Sequence, residues 1–196
     1  MKLKSIISLC KKEKRVVLFN KADEDGEIRE QWIGDGAACY RVGGLPILDP
    51  HTVAAIFDIP AKDEEKWDIR QEKLPTGLSF EDIEDDEEQL EEYGLSIGFL
   101  GIVLKPLRTH RGETIFIDAR YISPLSDSLD SLFLHRRKTV GGLDYVAVKV
   151  GFVLEAIIAP TQVETEKFIE RLSSLAREVE ATNAPEVDKK TGEVIS

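Results

Sequence analysis

Apolar positions in the first fifteen residues fall at Leu3, Ile6, Ile7 and Cys10, the i, i+3, i+4, i+7 spacing of one helix face. Lys4, Ser8, Lys11 and Arg15 run along a neighbouring flank, so the chain opens with an amphipathic helix of basic edge. "RVVLFN" then reads as a buried strand. "EIREQWI" and "AACYRV" flank Gly34, Asp35 and Gly36, and a glycine-bracketed aspartate between two apolar runs predicts a hairpin. Asp49 before Pro50 predicts an N-cap with proline at the first helical position, opening a short helix through Val53, Ile56 and Phe57.

After a polar stretch the alternation returns. "LSIGFLGIVLKPL" and "TIFID" predict two or three strands, and Asp118 can cap a helix whose large residues are Tyr121, Leu125 and Leu129. Pro124 falls past the first turn of that helix, where it removes a hydrogen bond, so either a kink or a restart capped by Ser123 is expected. "LFLHRRK", a turn at Gly141 and Gly142, "YVAVKV", Gly151 and "FVLEAIIAP" predict three more strands. Thr161 and Glu164 have capping-box spacing before a stripe of Phe168, Ile169, Leu172, Leu175, Ala176 and Val179. The pattern predicts an α+β protein with mainly antiparallel sheet, in two similar halves. Its divisions are a helix, hairpin and helix over 1–57, an acidic connector over 58–92, sheet with helices over 93–180, and a flexible tail over 181–196.

Charge sharpens this division. The net charge is −11. Residues 58–92 hold 15 acidic side chains against Lys62, Lys66, Arg70 and Lys73, and 4 − 15 = −11, so the rest of the chain sums to zero. Residues 1–15 hold six basic side chains and Glu13 alone, so 6 − 1 = +5. Like-charge runs are commonly solvated faces, and the alternative is a basic end that meets phosphate. Trp67 and Phe80 could pin the ends of the acidic stretch to the body. At 196 residues and 42% hydrophobic content the chain can bury a core without staples. Cys10 and Cys39 form neither a metal-ligand spacing nor a disulfide framework, which places the chain in a reducing cytoplasm. Lys11 and Lys12 end the first apolar run after about five apolar residues, below the roughly seven of a secretory signal, and no stretch reaches the length of a membrane span.

Residues 93–163 resemble a subdomain of the bacterial DNA sliding clamp. The likeness rests on a strand ending in Asp118, a helix of the form aromatic-x-x-x-Leu, two antiparallel strands and the closing "LEAIIAP", with Ala159 where that family commonly has methionine. The whole chain is similar to an uncharacterised family of Gram-positive prophages and conjugative elements, through "MKLKSI", "DG", "GLP", "KPLRT" and "DARYISPLSD". A clamp-like fold implies helices that present lysine and arginine to duplex phosphate without reading bases, and a partner in DNA or a replication protein; the lack of a span-length stretch separately predicts no membrane partner. Lys4, Lys11 and Arg15 are then the candidate DNA contacts. A chain this short would need several copies to close a ring.

An enzyme would need a site, and the sequence offers no motif for one. His51, His110 and His135 are scattered without the helical spacing of metal ligands. "GDG" lacks a following lysine, and Ser126 and Ser128 have no nucleophile-elbow context. The carboxylates of "EDIEDDEEQLEE" read as solvated, without the burial that shifts a pKa. The expectation is a non-catalytic protein without cofactor or metal. A second reading keeps an acidic interaction or DNA-mimic module built on residues 81–92, and a third an enzyme whose motif is not recognisable. Gly34, Gly36, Pro50 and Gly142 are expected to serve structure only.

Overall fold

Helix α1, Leu3–Glu13, buries Ile6, Leu9 and Cys10 and ends where Lys14 turns left-handed at φ 50° and returns its amide to the Cys10 carbonyl. Strand β1 (Arg15–Ala22) follows at once and pairs antiparallel with β2 (Ile28–Gly34), which turns into β3 (Ala38–Arg41). The turn lies where the glycines predicted it. A β-carbon on Gly34 would stand 1.8 Å from the Ala38 carbonyl oxygen, and Gly36 holds φ +95°, so both positions need glycine. Asp35 closes the turn by accepting the amides of Ala37 and Ala38. Asp49 caps α2 (Pro50–Ile56) through the Thr52 amide, as its spacing implied.

The computed structural model describes residues 2–163, Ser174 and two short segments, Glu186–Val187 and Val194–Ile195. Met1–Thr161 form one unit, and the second begins at Gln162. In the second, Glu186–Val187 pairs antiparallel with Val194–Ile195. The helix expected over 163–180 and the rest of the expected tail lie outside the described residues.

The protein is α+β, with mostly antiparallel strands in two sheets within the first unit. After a 3-10 turn at Ala61–Lys66 comes β4 (Asp68–Lys73), then β5 (Glu88–Gln89), β6 (Glu91–Glu92), β7 (Ile97–Phe99), β8 (Ile102–Arg108) and β9 (Thr114–Asp118). A 3-10 segment, Ala119–Ser131, leads to β10 (Leu132–Lys138), β11 (Asp144–Val150) and β12 (Val153–Ile158). The larger sheet has eight strands in the order β4-β1-β2-β3-β12-β11-β10-β5, all antiparallel neighbours except β4 beside β1. The smaller sheet centres on β8, with β9 along one side and β6 and β7 along the other.

The strand order contains a repeat. Two three-strand meanders, β1-β2-β3 and β10-β11-β12, meet at the antiparallel pair β3 and β12, and each is preceded by a helical segment. These two segments touch, since the Lys2 amide donates to the Pro124 carbonyl at 2.7 Å. Asp118 caps the second segment as predicted, through the Arg120 amide. The expected response to Pro124 takes another form: the segment winds as 3-10 through the proline, and its kink falls at Ser128 rather than at a restart on Ser123. A 3-10 turn loses only one local bond at proline, and the Tyr121 carbonyl that Pro124 cannot reach accepts from the Tyr40 hydroxyl instead.

Strand side chains alternate across the large sheet. Val16 and Leu18 of β1, with Val146 and Val148 of β11, face α1, α2, the 3-10 segment and the small sheet in the main core. Val17, Phe19, Trp32, Tyr145 and Ile157 face the other way. That second face is covered by part of the acidic stretch, through Leu74, Leu78 and Phe80. Residues 58–92 therefore do more than connect: they supply β4, β5, β6 and a strap across the sheet. Both aromatic pins are present, Phe80 edge-on to Trp32 at 5.0 Å and Trp67 edge-on to Phe57 at 6.4 Å.

Candidate functional site

Helix α1 sets its apolar face into the core and leaves Lys4, Lys11 and Lys12 in solvent, with Lys14 at its cap. None of these four has an ion-pair partner among the described residues. Elsewhere most cations are engaged: Lys21 with Glu81, Arg41 with Glu30 and Asp82, Lys105 with Glu92, Arg108 with Glu91, and Arg136 with Glu88, Glu113 and Asp144. Of the described lysines and arginines without an ion pair, four sit on or cap this helix, and Lys62, Lys73 and Arg111 are scattered elsewhere. At 1.5 Å per residue, Lys4 and Lys11 stand roughly 10 Å apart along the axis. Lys11 and Lys12 also sit in the last turn, where the helix dipole favours a cation.

The predicted trio does not stay together. Lys4 and Lys11 share the exposed strip, but Arg15 begins β1, is half-buried, lies 3.5 Å from Asp68 and packs its guanidinium against Gly36. The helical spacing fails there because α1 ends at Lys14. Lys12 and Lys14 add exposed charge at the same end of the helix as Lys11, a placement legible only once the helix terminus is known. Lys2 is engaged with Asp127 at 2.8 Å and with the Ser126 hydroxyl, tying α1 to the 3-10 segment.

Within residues 81–92 most carboxylates are paired. Glu81, Asp82, Glu87, Glu88, Glu91 and Glu92 meet lysine, arginine or histidine and Glu84 accepts the Ser79 hydroxyl, while Asp85 and Asp86 are exposed without such partners among the described residues. Glu87 is the deepest of these contacts. It lies between Arg137 and Lys149, whose side chains are 2% and 5% exposed, and Arg137 also donates to the Glu81 and Asp82 carbonyls. Burial alone would raise the Glu87 carboxyl, but Lys149 and Arg137 together hold it below its ordinary value. Asp82 accepts the Leu154 amide at 2.9 Å, and the Ser79 amide donates to the Tyr145 hydroxyl at 3.0 Å.

The groups considered for catalysis lie apart. His51 is exposed on α2, and His110 is an exposed residue whose Nδ1 lies 2.5 Å from Glu88. His135 is half-buried on β10, with a buried Nδ1 that has no hydrogen-bond partner among the described residues, and desolvation lowers its pKa. Ser126 accepts from Lys2, and the Ser128 carbonyl accepts from Ser131. Cys10 and Cys39 are buried in different clusters, and burial pushes each thiol up to about 12. Beneath α1 the Tyr121 hydroxyl donates to Asp35 at 3.0 Å and the Tyr40 hydroxyl to the Tyr121 carbonyl at 2.8 Å, which joins the first hairpin to the 3-10 segment. Among the described residues no group of three or more histidine, cysteine, aspartate or glutamate side chains could hold a metal ion, and no helix is long and apolar enough to cross a membrane.

No family model, curated protein or solved structure matches this chain.

Proposed function

We propose that this chain is a non-catalytic binding module that docks on duplex DNA through the lysines of α1, as an accessory protein in the replication or maintenance of a mobile element. The observation that carries the proposal is the unpaired charge of Lys4, Lys11, Lys12 and Lys14 in a protein that pairs most of its other cations. Phosphate rewards such charge by releasing condensed counterions, a gain that requires no base reading and no pocket. The repeat of a helical segment and a three-strand meander on either side of β3 and β12 supports a clamp-like arrangement, in which helices rather than strands meet the duplex. The 3-10 segment adds little charge of its own, because Arg120 is held by Asp118 and Asp127 by Lys2. Contact along one side of the duplex through α1 therefore fits better than a uniformly basic ring lining.

The acidic-decoy reading loses support from the same pairing. A phosphate mimic needs carboxylates free to meet a partner's cations, and residues 81–92 spend most of theirs within the protein. Fluorescence anisotropy of a labelled 20-base-pair duplex at low salt tests the proposal. Replacing Lys4, Lys11, Lys12 and Lys14 together by glutamine removes binding, while Arg15→Gln leaves it nearly intact. Equal binding by the fourfold variant and the parent refutes the assignment.

A further inference from the structure

Between the strap and the second face of the large sheet lies a cleft of about 150 Å³. Its floor is the register pair of Cys39 on β3 and Ile157 on β12, where a small thiol stands opposite a larger side chain and leaves room. Its walls are aromatic and aliphatic: Phe19, Phe80 and Tyr145 around the sides, with Leu78 of the strap above. Exposed Gly36 and Ala159 mark its mouth. Protein interiors leave few voids above the size of a water molecule. The cleft opens to solvent at that mouth, and an apolar space of about this volume can accept a benzene-sized guest.

The lining also defines what is excluded. The Tyr145 hydroxyl is occupied by the Ser79 amide, and among the described residues no charged side chain lines the cleft; Arg15, beside Asp68, packs its guanidinium against Gly36 at the mouth, so a charged group held deeper would lose its water without compensation. Three aromatic side chains offer edges and faces to another ring, whose preferred geometries are offset or edge-to-face. The cover is held at its acidic end by Lys21 with Glu81, Arg41 with Asp82, Arg137 on the Glu81 and Asp82 carbonyls and the Leu154 amide on Asp82, and its apolar contacts are Leu74, Leu78 and Phe80.

We propose that this cleft is a binding site for one small uncharged aromatic molecule, of one ring or a fused pair, closed in by residues 74–82. The site is separate from the lysines of α1 and does not depend on their role. The test uses the full chain, with indole and toluene as probes and benzoate as the charged control. Thermal melting and isotope-edited NMR are followed across each titration. Indole or toluene raises the melting temperature and gives saturable shifts at Cys39, Leu78 and Ile157, and benzoate does neither. Cys39→Leu and Leu78→Trp each fill the cleft from opposite sides and weaken binding about tenfold or more, equivalent to about 1.4 kcal/mol; either variant suffices if the other does not fold. Absence of saturable shifts at these residues up to the solubility limit of both probes overturns the proposal. Undiminished binding in a folded variant that fills the cleft does so equally.

Discussion

Removing the Glu87 carboxylate tests how the acidic strap is held. In the parent, Lys149 has Glu87 as its one salt-bridge partner among the described residues, and Arg137 shares that carboxylate while keeping two backbone carbonyls. Glu87→Ala therefore leaves an ammonium at 5% exposure with no counter-charge, whereas the guanidinium remains partly satisfied. Breaking a buried pair in this way costs about 3–5 kcal/mol, and the carbonyls on Arg137 place the expected loss toward the lower end, about 3–4 kcal/mol. For a domain of this size that corresponds to a melting temperature lower by roughly 10 °C. Glu87→Gln retains an acceptor and loses about half as much. Replacing Glu87 and Lys149 together by methionine removes the stranded ammonium and recovers part of the loss, the remainder reflecting Arg137, which still lacks its carboxylate and keeps only the two backbone carbonyls. Urea denaturation followed by tryptophan fluorescence reads all three, because Trp32 packs against Phe80 of the strap. A loss below about 1 kcal/mol in Glu87→Ala would show that Lys149 swings into water at little cost, and the strap would then not be held by buried charge.

Two further outcomes follow from the same geometry. Gly34→Ala drives a β-carbon into the Ala38 carbonyl and destabilises the first hairpin by about 3 kcal/mol or more, measurable as a lower urea midpoint; a neutral result would mean that the turn relaxes freely. Because desolvation lowers the His135 pKa in the fold, the unfolded chain takes up that proton first as pH falls below the ordinary value of 6.5, and stability declines from there downward. His135→Gln flattens the stability profile in that window, and an unchanged slope between pH 7 and about 5 would remove His135 as the cause.

Strong periodicity made much of the fold legible. Ile6 and Cys10 on α1, the Asp35 turn between its glycines, the Asp49–Pro50 cap and the three C-terminal strands each carry a local signal that tertiary structure preserves. Strand β4 was not legible, because Asp68–Lys73 is a polar edge with little apolar alternation and takes its conformation from parallel pairing with β1. The strap was hidden for a related reason. Glu81, Asp82 and Glu87 read as solvated in sequence, and only the fold brings Lys21, Arg41, Arg137 and Lys149 from four separate strands to meet them. Helical spacing foresaw Lys4 and Lys11 on the exposed side of α1, while Arg15 lies on β1 because periodicity does not reveal where the helix stops.

The most direct test of the proposed role is the salt dependence of duplex binding. If Lys4, Lys11, Lys12 and Lys14 each neutralise one phosphate, the slope of log K against log salt is about −3.6, and affinity falls by roughly two orders of magnitude between 50 and 200 mM salt. Each Lys→Gln replacement should lessen the slope by about 0.9. A slope near zero in the parent, or one that the four replacements leave unchanged, contradicts the assignment of α1 as the surface that meets DNA.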